Sequence, residues 1–166
     1  MKTLFKVSAA ATVRAMFAAT LFMFCAQSAL AQDEIVLTVT GTAEPAEFTM
    51  AELQAMPVTS FETTTIWTEG AQSFTGVSLH SFLAELDVEG GTLNAAAIND
   101  YVVEIPVADA VEGGPIIAYA RNGEVMSVRN NGPLWIVYPY DSNADYQSEV
   151  IYARSIWQLV RIDVVQ

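Results

Sequence analysis

Apolar and polar residues alternate along EIVLTVTG, Glu34 to Gly41, with the two-residue period of a half-buried strand. The period changes in FTMAELQAMP. Thr49 stands three residues before Glu52, the spacing of a capping box, so a short helix opens there and Pro57 stops it. VTSFETTTIW is β-branched and aromatic, hence strand-like, and runs through a TEGAQ turn into the short strand SFTG. In VSLHSFLAELDV, Leu79, Phe82, Leu83 and Leu86 form one apolar helical stripe, with Ser78 as N-cap and His80 off the stripe on the exposed side. YVVEIPV reads as a strand, and VADAVEGG as a helical turn or two ending at the glycine pair. PIIAYARNGEVMSV is a hairpin whose Asn122-Gly123 pair accepts positive φ at low cost. GPLWIVYPY and SIWQLVRIDVV are apolar enough to be central strands, and the polar, aromatic DSNADYQSEVIYAR between them reads as an irregular loop. The sum is an α+β, β-rich single domain with two or three short helices. The pattern leaves the strand order open.

The start of the chain follows other rules. Lys2, Lys6 and Arg14 precede the apolar run AMFAATLFMFCA, and Ala29-Leu30-Ala31 is a small-x-small site of the kind that signal peptidase cuts. Residues 1–31 are therefore expected to be a cleaved signal peptide, and 32–166 the mature domain, soluble in the periplasm. Phe24 before Cys25 is a poor lipoprotein signal, which argues against lipidation and stable membrane anchoring.

Removing three cations and no acid takes the net charge from −12 to −15, and leaves Arg121, Arg129, Arg154 and Arg161 as the only cations. Nucleic acid needs clustered positive charge, so it is excluded as a partner. A cationic partner, or simple solubility in the periplasm, fits that charge better, and the partner expected is a small ligand or a periplasmic partner protein. Cys25 is the only cysteine and His80 the only histidine. The mature chain thus offers no disulfide, no cysteine nucleophile and no multi-histidine metal site.

Four segments at the joints of these elements carry a resemblance. FTGVSLHSFLAEL is similar to a W-x-G-x-x-L motif followed by a leucine-rich helix, with Phe74 in the aromatic place. YVVEIPVADA is similar to a strand-Pro-helix step. PIIAYARNGEVMSVRNNGPLWIVYP resembles L-A-Y-x-x-N-G-x-x-L continuing into G-x-P-x-R-x-x-x-P, and SIWQLVRIDV resembles S-V-K-W-L-x-x-I. In this order and spacing they resemble the oxidoreductase molybdopterin-binding domain of the sulfite oxidase type, from about Val58 to Val165. The resemblance implies mixed β-sheets and a molybdenum held by the pterin dithiolene and one cysteine thiolate, a soft donor suited to that metal. It places that thiolate near Thr64, and places Trp135 and Trp157 where the family has an arginine and a lysine facing anionic groups.

A hydroxyl and two indoles cannot supply the thiolate, the charge or the donors of that site. The expected role is a periplasmic ligand- or partner-binding accessory module without molybdenum chemistry and without a bound cofactor. The alternative is a molybdopterin-dependent oxidoreductase with a non-cysteine metal site. The pocket candidates are Thr64 and Trp67 from the cysteine segment, and Arg129, Asn130 and Asn131 from the VRNNGP loop. Tyr140, Asp141, Tyr146, Tyr152 and Arg154 come from the polar segment that follows.

Overall fold

The structure, a computed structural model, describes residues 34–166. The expected signal peptide therefore lies outside the described residues. Strand β1 (Ile35–Thr40) alternates exposed and buried positions as its sequence does, and turns back on β2 (Ala46–Thr49). Helix α1 (Met50–Ala55) opens on the capping box: Glu52 N donates to Thr49 Oγ1 at 3.2 Å, and Thr49 N donates to Glu52 at 2.8 Å. Strand β3 (Val58–Thr64) pairs antiparallel with β4 (Ala71–Ser78), and Ser78 caps helix α2 (Leu79–Glu85). Leu79, Phe82 and Leu83 face the core, and His80 is exposed, its Nδ1 2.9 Å from Ala110 O.

Strands β5 (Thr92–Ala97) and β6 (Val102–Pro106) follow, then β7 (Ile116–Arg121) and the two-residue β8 (Glu124–Val125). Asn122 and Gly123 join the last two with φ of 53° and 82°. β9 (Trp135–Val137) lies past a cis Gly132-Pro133 bond, and β10 (Leu159–Val165) ends the chain. The segment read as an irregular loop is in part helical: α3 (Glu149–Arg154) is capped by Ser148, whose Oγ accepts from Ile151 N at 3.4 Å. Glu149 in its first turn and Arg154 in its last complement the helix dipole, a local signal that the polar composition masked.

The strands make two sheets. One runs β2-β1-β10-β5-β6, antiparallel except for the parallel β1–β10 pair; the other runs β3-β4-β7-β8, with β9 also on β7. Mixed sheets with three helices match the expected fold class. β4 shifts register between Thr75 and Gly76, and a Cβ on Gly76 would strike the backbone of Ile117 and Ala118. The sheets meet along β9. Ile136 N donates to Ile156 O at 2.9 Å, Leu159 N donates to Leu134 O at 3.0 Å, and Trp135 bridges to Trp157. That seam holds the aromatic cluster. Among the described residues, no helix is long and apolar enough to cross a membrane.

Candidate functional site

Trp67 leaves β3 in a turn tied by its own hydroxyls. Trp67 N donates to Thr65 Oγ1 at 3.1 Å, and Thr65 Oγ1 lies 2.8 Å from Thr68 Oγ1. The strand read through to Trp67 ends at Thr64 instead, because these side-chain bonds replace the ladder. The indole is thereby pointed into the seam. It meets Trp157 at 5.4 Å between centroids, Trp135 and Tyr152 at 5.8 Å each and Tyr140 at 6.4 Å, with interplanar angles from 63° to 87°. Edge-to-face contacts of this kind each add about 0.5–1.5 kcal/mol beyond the area they bury. Trp135 is fully buried, and its Nε1–H has no partner among the described residues.

Thr64 does not face this cluster with a free hydroxyl. Its N–H donates to Asp141 Oδ2 at 2.6 Å and its Oγ1 to Oδ1 at 2.7 Å, while Asp141 N donates to the buried Thr63 Oγ1 at 3.1 Å. Both carboxylate oxygens are thus engaged, which fastens the end of β3 to the chain after β9. Donation from the Thr64 backbone first, and its hydroxyl second, holds the Asp141 carboxyl below the usual carboxylate range. A carboxyl lowered in the folded state contributes stability above its unfolded value of about 3.9, and that contribution is lost as pH falls through the folded value. Tryptophan fluorescence is therefore expected to change in acid, below the ordinary aspartate range, as the Trp67 turn comes loose. In Asp141→Asn that step should shrink; an unchanged acid profile would show that the link does not hold Trp67.

Tyr140 is buried and donates to Ser155 Oγ at 2.6 Å, and Ser155 donates on to Ile151 O at 2.8 Å in α3. Burial raises the Tyr140 phenol above its usual value. Burial, and then the carboxylate of Asp109, raise that of Tyr138 further. Neither phenol is a base near neutral pH.

The sequence candidates do not all converge. Trp67, Tyr140 and Tyr152 come together at the seam, and the exposed Thr64 and Asp141 pair with each other next to it in the chain. Tyr146 packs instead on Tyr138, at 5.7 Å between centroids. Arg154 turns to Asp109, whose Oδ2 accepts from Arg154 at 2.8 Å and from Tyr138 Oη at 2.8 Å. Arg129 and Asn130 lie exposed on a 3₁₀ turn, and among the described residues Arg129 makes no hydrogen bond or ion pair. Asn131 ends that turn at φ 70°, its Oδ1 accepting from Arg121 at 3.4 Å.

Beside Trp67 opens a hollow of about 430 Å³, lined by Asn99, Tyr101, Tyr152, Ser155 and Trp157. Asn99 and Tyr101, which the sequence reading passed over, come from the β5–β6 turn. There Asp100 takes φ 62° and Asn99 Oδ1 accepts from Tyr101 N at 3.3 Å. The Asn-Asp pair between two strands was the available signal, since both residues tolerate the left-handed region.

Comparison with known proteins agrees with this architecture. The solved structure of the sulfane dehydrogenase SoxCD from Paracoccus pantotrophus superposes with a TM-score of 0.60 at 20% identity, over 80% of this chain and 38% of that one. This chain thus spans well under half of that protein's length, and the likeness is one of fold. No curated protein matches significantly. A family model does, over residues 26–144, starting earlier and ending earlier than the motifs suggest and leaving Tyr152, Ser155 and Trp157 beyond it. On that match the chain belongs to the oxidoreductase molybdopterin binding domain family.

Proposed function

We propose that this chain is an exported member of its family that keeps the fold without molybdenum chemistry and serves as a binding module, an accessory part of a redox or signalling assembly. The observation that carries this reading is the Thr64–Asp141 clamp. At the position where the resemblance puts the thiolate stands a hard hydroxyl, already donating to a carboxylate. Asp141 would repel a thiolate and an anionic dithiolene brought to the same place. Trp135 and Trp157, where the resemblance puts two cations, pack edge-on to Trp67 and offer no charge to a pterin phosphate. The residues present do not fit the group that the family description implies, so no catalytic step is drawn through it.

The same geometry disfavours acid–base catalysis. The two buried phenols are held protonated, and Asp141 has both oxygens occupied. What the seam offers is a rigid aromatic wall beside an open hollow. The test is molybdenum content by mass spectrometry, with pterin fluorescence after acid oxidation, on protein purified from the periplasm of a molybdenum-replete host. The expected result is molybdenum far below one atom per chain and pterin at background. A stoichiometric metal would overturn the proposal in favour of a molybdopterin oxidoreductase with a non-cysteine site. Recovery of the protein only in the membrane fraction, or with an intact leader, would overturn the exported location.

A further inference from the structure

Four of the residues that line the hollow beside Trp67 are aromatic. Trp67, Trp157 and Tyr152 are half-buried, each presenting part of its ring to solvent, and Tyr101 stands 57% exposed. Trp67 meets Trp157 and Tyr152 at 77° and 87°, so adjacent walls are close to perpendicular, as the sides of a box are. Aromatic faces are negative and attract a cation held within about 6 Å of the ring centre.

The electrostatics point the same way. None of the lining residues is cationic. Arg154, next in sequence to the lining Ala153, is bonded to Asp109. Asp100, between the lining Asn99 and Tyr101, is 89% exposed, and Arg161 approaches it only at 3.9 Å. The whole chain carries a net charge of −12. An anion would find no charged donor among these side chains, whereas a small organic cation would find aromatic faces and a favourable field. At about 430 Å³ the hollow falls within the size of ordinary small-molecule sites.

We infer that this hollow binds a small organic cation of the quaternary or methylated ammonium class, with Trp67, Tyr101, Tyr152 and Trp157 as its cage. The inference rests on the binding-module reading and names the ligand class of that module. Two of the four cage aromatics, Tyr152 and Trp157, lie beyond the span of the family match, so the cage is completed by a part of this chain that the family model leaves out. Tyr101 lines the hollow from the β5–β6 turn, whose backbone is tied by the bond from Tyr101 N–H to Asn99 Oδ1.

The experiment titrates tetramethylammonium and choline into the purified protein, read by calorimetry and by tryptophan fluorescence. All three tryptophans of the chain belong to the seam cluster, so the fluorescence reports on it directly. The uncharged tert-butyl analogue of choline is the control for shape. Choline is expected to bind at least about tenfold more tightly than that analogue, a ratio worth about 1.4 kcal/mol. Tyr101→Ala should weaken choline by about the same factor, and Tyr101→Phe should restore it because the ring face survives. Tyr101 is exposed and makes no stacking contact with another ring, so thermal melts of both variants should match the parent.

Equal binding of choline and its analogue would overturn the inference, since the hollow would then recognise bulk and not charge. Absence of binding by either cation at millimolar concentration would overturn it as well. Neither result bears on the molybdenum measurement, which decides the underlying reading by itself.

Discussion

Trp135→Ala is expected to cost about 3–5 kcal/mol of stability and to lower the melting temperature by roughly 10–20 °C. The side chain is fully buried and touches Phe74, Trp67 and Trp157 at centroid distances of 5.4, 5.8 and 5.9 Å. Its Nε1–H has no partner among the described residues, so the expected loss is one of packing. Because β9 and the segment before β10 are bridged at this residue, the cavity would open where the two sheets join. Thermal melts followed by tryptophan fluorescence and by far-UV circular dichroism check the claim. A variant that melts within a few degrees of the parent would mean that the seam closes around the gap and does not depend on Trp135.

Gly76→Ala is expected to be as damaging for a different reason. A single methyl group there would meet the backbone of Ile117 and Ala118 on the neighbouring strand, and neither strand has room to retreat. Overpacking against a flexible side chain costs about 1–3 kcal/mol; a collision of backbone with backbone belongs at or above the top of that range. Gly90→Ala is the control. Its added Cβ meets nothing within 4 Å, so the substitution should stay within about 0.5 kcal/mol. Chemical denaturation of the two variants side by side separates the outcomes, and equal midpoints would refute the close approach of β4 to β7.

Much of the fold is visible in one dimension because local rules and tertiary structure agree there. The Thr49–Glu52 capping box, the Leu79–Phe82–Leu83 stripe and the Asn122-Gly123 turn all form as their spacing implies. β5 escaped notice although it lies between β10 and β6. Its TLNAAA sequence is half alanine, a residue depleted in strands, and it owes its conformation to neighbours on both sides. β2 was hidden because it runs directly into the capping threonine of α1.

The site divides in the same way. That Trp67, Tyr140 and Tyr152 gather could be expected from their places in the order of motifs that carries the family resemblance. That Thr64 is held by Asp141, 77 residues later, could not, since no local pattern pairs a threonine with an aspartate across that distance. Arg154 misled for the same reason. A rare cation in an acidic chain invites a ligand, but Asp109 on a separate turn 45 residues earlier claims it first.

The parallel pairing of β1 with β10 has a consequence for how the molecule is made. Thr40 Oγ1 donates to Asp163 across 123 residues of chain. β1 sits inside its sheet, and the strand it needs on that side lies far downstream in the chain. Contacts between such distant segments must close a long loop before they are rewarded, which places folding toward the slow end for domains of this size. The five-stranded sheet cannot assemble behind the ribosome as the chain emerges; until β10 is out, β1 and β5 have open edges that other chains can join. Synthesis at about 5–20 residues per second leaves those edges uncovered for several seconds.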